Sequence, residues 1–328
     1  MIVAAHPAFS RSSIVEQARV LLIEPDPQSA RALSRTLRSI VGSVEVRDSL
    51  EGASLDHVDI VALAADRIVG AARADAARTV LAHPGRPRLL WIASSLSRVE
   101  LAEMFERRQL MNLVARNAGH VDPSELIATL RKLLEPGVFG LDKYFAWGVE
   151  SIGWQLTSST QKDGVIVAAE EYAVGLGVQG RLALSFATVV DEFVTNAIYN
   201  APVARDGRPR YAHLARDVEV TLDPHETVTA RVCCDGERLG VAVRDGFGSI
   251  TADRIVEYMA KCFGAGNQLD DKDGGAGVGL HQAFSSLSSF VVNIERGVRT
   301  EFIGIIDIRG TYRDFAMRGK SFNVFAAG

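Results

Sequence analysis

The feature that most restricts the fold is a regular alternation, from Ala18 to Glu135, of short apolar runs with amphipathic stretches. A run of five or so apolar residues reads as a strand buried on both faces. A following stretch whose apolar residues recur every three to four positions reads as the helix that covers it. RVLLIEP (residues 19–25) opens the series, and Ala30, Leu33, Leu37 and Ile40 share one face of the next segment, residues 27–40. Further strands are expected at residues 43–46, 59–63, 88–93 and 112–115. A last helix is expected at 124–135, with Ser124 as its N-cap. Strands that alternate with helices in this way imply a parallel sheet.

A chain of 328 residues is long enough for two domains, each with its own core. Glu135, Pro136 and Gly137 form a helix-ending break. The expected division is a first domain at 17–135, a linker at 136–142 and a second domain at 143–328. The second opens on KYFAWGVESIGWQL (residues 143–156), amphipathic with Phe145, Val149 and Ile152 roughly aligned, suited to packing on the domain core or to a dimer contact.

The formal charge of −4 leaves no basic footprint for nucleic acid. No apolar run approaches the roughly 20 residues that span a bilayer, and the N-terminus lacks a charged segment followed by an apolar one. Cys233, Cys234 and Cys262 have neither zinc nor redox-pair spacing. These features together lead to the expectation of a cytoplasmic protein with no membrane and no nucleic-acid partner.

The topology of the first half resembles the response-regulator receiver domain, which implies a five-stranded parallel, flavodoxin-like fold. Its chemistry departs from that family. Where receivers carry paired acidic residues after the first strand, this chain reads Glu24, Pro25, Asp26; where the phosphoacceptor aspartate ends the third strand, DIVALA places Ala64; where the family has a lysine after the fifth strand, Arg116 stands. An aspartyl phosphate needs a carboxylate nucleophile and a divalent cation, and Ala64 supplies no nucleophile. Asp66, two residues on, is a weak substitute whose simpler reading is a surface aspartate. The expected role is a degenerate receiver that serves as an interaction module.

Three motifs follow in the second half. VVDEFVTNAIYNA (residues 189–201) has apolar residues at helical spacing, and Glu192 and Asn196, four apart, lie one turn apart on one face. Magnesium favours hard oxygen ligands, and an amide oxygen adds no charge beside a polyanion. LGVAVRDGFGSI (residues 239–250) alternates as a strand and runs into a glycine turn at Asp245, Gly246 and Gly248. In DGGAGVGLHQAF (residues 273–284), Gly275, Gly277 and Gly279 precede a helix; glycines let backbone approach phosphate, and a helix N-terminus favours anions.

Taken in order, these motifs resemble the gyrase, histidine-kinase and MutL (GHKL) ATPase superfamily. The resemblance implies an α/β two-layer sandwich of the Bergerat type, with ATP and Mg2+ as cofactors. It further implies that Asn196 holds magnesium through the nucleotide, that Glu192 orients or deprotonates a nucleophile, and that Asp245 accepts from the adenine amino group. Gly248, Gly275, Gly277 and Gly279 would then form the glycine loops, and Thr300, in a late strand at 297–308, would reach adenine through water. The polar stretch 263–274 resembles the lid that closes over ATP, and the whole segment 251–274 is the expected ordering element.

There is no histidine between Val121 and Ala212 to serve as a phosphoacceptor, and His120 lacks the histidine-kinase context. Two functions remain. One is a signalling regulator that binds ATP and controls a partner protein, with a homodimer allowed. The alternative is a serine/threonine kinase resembling anti-sigma-factor kinases, with Glu192 as general base. His213 and His281 read as surface or structural residues, and Trp147 and Trp154 as core or interface anchors. Arg205, Arg208 and Arg210 read as a solvated loop or a pocket mouth, and Lys261 and Lys272 as lid lysines within reach of phosphates.

Overall fold

The computed structural model describes residues 13–135, 137–264 and 276–327. In chain order the first half comprises α1 (Ser13–Gln17), β1 (Arg19–Ile23), α2 (Pro27–Arg38), β2 (Ser43–Arg47), β3 (Ile60–Ala64), α3 (Ala71–Ala82), β4 (Arg88–Ala93), α4 (Arg98–Glu106), β5 (Asn112–Asn117), β6 (His120–Val121) and α5 (Pro123–Leu134). A 3-10 turn at Leu141–Tyr144 then leads to β7 (Ser151–Leu156), α6 (Lys162–Gly175), α7 (Gly180–Thr195), β8 (Val228–Cys234) and β9 (Arg238–Asp245). The chain continues through α8 (Ala252–Phe263), α9 (Ala276–Ser285), β10 (Ser289–Glu295), β11 (Arg299–Asp307), α10 (Tyr312–Met317) and β12 (Ser321–Ala327).

The fold is mixed α/β. Strands β2-β1-β3-β4-β5 are parallel, as their apolar runs lead one to expect, and the second half adds β12-β10-β11-β9-β8-β7, largely antiparallel. The two sets share one continuous sheet, because β12 pairs antiparallel with β5 through Phe322 opposite Leu113 and Asn323 opposite Asn112. The Ser321 hydroxyl accepts from Ala115 N at 2.8 Å and reinforces this seam.

Side chains along each strand alternate between two cores. Leu21, Leu63, Trp91, Val243, Phe302 and Phe322 face the layer of α3, α4 and α6–α9, whereas Leu22, Ala62, Val114, Val291 and Ile303 face α2, α5 and the 3-10 turn. The region expected as linker therefore packs: its Val138 and Leu141 are buried against the second face, as are Tyr144 and Phe145 just beyond it.

Two local expectations are corrected. The N-cap of α5 is Asp122, whose carboxylate accepts from Ser124 N and Glu125 N, because Pro123 takes the first helical position. Residues 143–156 run from the end of the 3-10 turn to the edge strand β7, and Gly148 turns the chain between them at φ 91°. Most of residues 251–264 form α8, anchored by buried Ile255, Val256 and Met259, so the segment before 265 is a packed helix. The helical stretch Gly180–Asn200 is long and apolar enough to cross a membrane by length and composition, a span that the sequence reading did not anticipate. It is mostly buried, forming the central helix of the second half.

Candidate nucleotide site

The helix that carries the first motif does not end as a plain α-helix. Beyond Thr195 it widens into a π turn over Asn196–Asn200, in which Ala201 N donates to Asn196 O at 2.9 Å. Single π turns inside helices concentrate at functional sites. Here the widening sets Glu192, Asn196 and Asn200 in a chain of contacts. Asn196 Nδ2 donates to Glu192 Oε1 at 2.5 Å, Asn200 Nδ2 donates to Asn196 Oδ1 at 2.5 Å, and Arg216 Nη2 donates to Asn200 Oδ1 at 3.1 Å. Burial pushes the Glu192 carboxyl above its ordinary value, against the pull of the Asn196 amide.

Asp245 ends β9 and pairs across the antiparallel ladder with Thr300 of β11. Both residues have the parity of Val243 and Phe302, so both side chains point to the α7 face of the sheet. Asp245 is 4% exposed, and its Oδ1 accepts from Phe247 N at 2.8 Å and from Gly248 N at 3.3 Å. Burial dominates over these donors and over those of Thr300, and pushes its pKa up to about 6. Thr300 is buried beside it.

Asn196, Asp245 and Thr300 line one cavity of about 250 Å3, together with Leu280 of α9 and Arg254 and Tyr258 of α8. Gly279 lies at the same place: a β-carbon there would collide with the Glu192 carboxylate. Gly277 falls in α9, and Gly275 lies outside the described residues, as does Lys272. Gly248 does something other than cradle a ligand. Its φ is +56°, and its α-carbon is pressed against the β10–β11 turn at Glu295, Gly297 and Arg299, where a side chain would not fit.

The donor set fits a nucleotide and a hard cation. Asn196 Oδ1 keeps a lone pair beyond its bond to Asn200, and Glu192 adds a carboxylate one helical turn away. The buried Thr300 hydroxyl beside Asp245 lines the same cavity and offers a further polar partner to a base.

Several lining groups escaped the sequence reading. Arg254 and Tyr258, which stack as a cation–π pair at 4.6 Å, belong to the segment expected as lid; Val203, Gly207 and Pro209 come from the arginine-rich loop. The arginines themselves turn away. Arg205 is exposed, Arg208 pairs with Asp206, and Arg210 pairs with Asp223 and with buried Glu226. His213 is exposed, His281 packs edge-on against Phe263 at 4.8 Å, Trp154 is half-buried and Trp147 is fully exposed.

In the first half, the residues at receiver-like positions form a buried ion cluster. Arg116, 2% exposed, donates to Glu24 at 2.5 Å and lies 3.8 Å from Asp66. Asp66 accepts from Ser94 N and Ser94 Oγ at 3.1 and 2.8 Å. Asp26 caps α2 through Gln28 N and Ser29 N, so its carboxylate is already engaged, and Ala64 is fully buried. A guanidinium thus sits between the carboxylates and supplies their positive charge.

No protein-family model matches this chain, and no curated protein does either. Among solved structures, the response regulator DrrB, a Thermotoga maritima OmpR/PhoB homolog, aligns with a TM-score of 0.31 at 15% sequence identity, covering 40% of this chain and 58% of that one. This chain therefore spans less than two thirds of the length of that relative.

Proposed function

We propose that the chain is a signal-transduction regulator that binds ATP with Mg2+ between α7, α8 and the β9–β11 pair, and that nucleotide occupancy controls its contact with a partner protein. The observation that carries this reading is the convergence of Asn196, Asp245 and Thr300, widely separated in sequence, on one cavity beside the Glu192–Gly279 contact. The motifs that place them there resemble the GHKL superfamily.

Coupling to the receiver-like half is supported by the packing of α4 on α8. Arg98 of α4 donates to Cys262 O at 2.9 Å and Phe263 O at 3.3 Å, satisfying carbonyls at the end of α8, and Arg108 pairs with Glu257 at 2.7 Å. Phe105 stacks on Phe263 at 5.6 Å. The helix that these contacts hold also carries Arg254 and Tyr258 into the cavity. With Arg116 filling the cluster where a cation would sit, the first half acts as an interaction module and not as a phosphoacceptor.

Titrating the full chain with a fluorescent ATP analogue, with and without Mg2+, tests the reading. Saturable, Mg2+-strengthened binding that weakens in Asp245→Asn and Asn196→Ala is expected. Equal binding by Asp245→Asn would remove the pocket assignment.

One observation favours a serine/threonine kinase as the second reading. The Glu192 carboxyl is raised by burial at the magnesium end of the helix, in the direction that suits a general base. Labelled ATP with the full chain and a generic protein substrate separates the two: a kinase transfers phosphate and loses transfer in Glu192→Ala, whereas a regulator transfers none.

A further inference from the structure

Helix α2 carries Arg31, Arg35 and Arg38 at a spacing of four and three residues, which puts them on one face along about 10 Å of helix. All three are exposed. The helix itself holds no acidic residue, in a chain whose formal charge is −4. Beside this stripe runs β2, the outermost strand of the sheet. A groove of about 660 Å3 lies between them, walled by the three arginines, with Ser34 and Val46 in its lining. Val46 has the parity of buried Val44, so both point to the α2 side, and Val46 stays 37% exposed.

Among the described residues, no carboxylate pairs with any of the three arginines and none lines the groove; Arg38 Nη2 makes one contact, with the main-chain Val44 O at 3.4 Å. The acids nearest in sequence are engaged elsewhere. Asp26 caps the start of α2 and lies 3.8 Å from Arg67, and Glu45 has the opposite parity on β2, where Arg47 holds it at 2.5 Å. The charge that faces the groove is therefore of one sign. The helix dipole favours Arg35 and Arg38, which lie in the last turn, but it does not reach Arg31. Like charges one turn apart destabilise a helix, so the stripe costs α2 stability that an anionic partner restores.

We propose that the groove between α2 and β2 docks an acidic helix of a partner protein, whose carboxylates meet Arg31, Arg35 and Arg38. A helix that presents glutamates at the same four- and three-residue spacing matches the stripe along its length. Guanidinium–carboxylate pairs fix orientation as well as supplying attraction. Nucleic acid fits less well, because duplex binding rests on many phosphate contacts, and this is a short stripe on a net-negative chain. A membrane surface calls for a broad apolar face beside the cations, whereas Val46 alone among the lining is both apolar and exposed. The inference is independent of the nucleotide reading, since the groove and the nucleotide cavity share no residue.

The test uses the full chain and a fluorescent alanine-based helical peptide that carries three glutamates at this spacing, with its glutamine counterpart as comparator. Anisotropy titration at low ionic strength should give saturable binding, about tenfold tighter than that of the glutamine peptide and weakening as salt is added. Arg35→Glu, which reverses the central charge, should weaken binding about tenfold or more, and Arg31→Gln by a smaller factor. Arg313→Gln, on α10 and outside the groove, should change nothing. All three substituted side chains are exposed, so circular dichroism should show the fold retained. No binding at millimolar peptide, equal binding of the glutamine peptide, or unchanged affinity in Arg35→Glu would each overturn the proposal. So would tighter binding of duplex DNA or of phosphatidylserine vesicles, or self-association of the chain, if Arg35→Glu abolishes it, because the groove would then have another occupant. Failure of ATP-analogue binding leaves this outcome untouched.

Discussion

The carboxylate of Glu192 in α7 fills the space that a β-carbon on Gly279, near the start of α9, would occupy. This contact joins the glycine motif to the acidic motif, although 87 positions separate them in the chain (279 − 192). Gly279→Ala must push the carboxylate aside or move α9. Overpacking of this kind typically costs about 1–3 kcal/mol. ATP-analogue affinity, measured by fluorescence titration, should drop about tenfold or more with the fold retained by circular dichroism. Unchanged affinity would show that Glu192 plays no part in the pocket.

Asp245 supplies a pH signature. Its folded pKa, about 6, lies above the ordinary 3.8. A group raised in this way stabilises the fold at low pH, and that contribution is lost as pH rises from about 4 through about 6. In urea titrations across that window the ligand-free wild type should therefore lose stability relative to Asp245→Asn, which cannot titrate. Parallel curves would contradict the burial assigned to this carboxyl. On the proposed nucleotide reading, ATP-analogue affinity should fall in the other direction, as acid protonates the carboxylate that this reading assigns to the adenine amino group.

Lys132 sets the opposite slope. Its ammonium is buried between α5 and the sheet, 3.2 Å from Asn293 Oδ1, and burial brings its pKa down to about 7. With the folded pKa below the ordinary 10.5, the unfolded chain binds more protons between about 7 and about 10.5, so stability rises with pH over that range. Comparing wild type with Lys132→Met by urea denaturation at neutral and alkaline pH isolates the effect: the gap should shift in favour of wild type as pH rises. A constant gap would mean that the amine is solvated.

Arg116 and Glu24 form a buried pair at 2% and 1% exposure. Removing one partner of such a pair typically costs about 3–5 kcal/mol, because the other charge stays behind uncompensated. Arg116→Met should lower stability by that order. Adding Glu24→Gln to Arg116→Met should recover a large part of it. If the single variant is as stable as wild type, the cluster does not hold the first half together. Acetyl phosphate should label neither Asp66 nor any other residue in this half; a base-labile phosphate on Asp66 would reverse the assignment of an interaction module.

The strands of the first half were legible because each is a short apolar run. Arg88–Ala93 coincides with its expected bounds, and the others shift by a residue or two. Helix α5 was legible, but its cap was not, since Pro123 at the first helical position makes Asp122 the residue with a free carboxylate before the turn. Helix α8 was read as lid because the polar, glycine-rich run after Phe263 drew attention away from its own periodicity, with Ile255, Val256 and Met259 on one face. The spacing of Glu192 and Asn196 located their helix, yet it gave no hint of the π turn that brings Asn200 into line. Nor could local pattern reveal that Lys132 would meet Asn293 or that Phe322 would meet Leu113, because such pairings depend on packing between elements far apart in the chain, 161 residues in the first case.

The seam between β5 and β12 has mechanical consequences. Its ladder register comprises two residue pairs, the shortest along the main path of the sheet among the described residues. Still, it makes the two halves a single beam of hydrogen-bonded backbone instead of two beads on a string. A hinge at this place must break main-chain bonds, so thermal unfolding should proceed in one calorimetric step shared by both halves. Under tension, rupture should begin at Leu113 and Phe322.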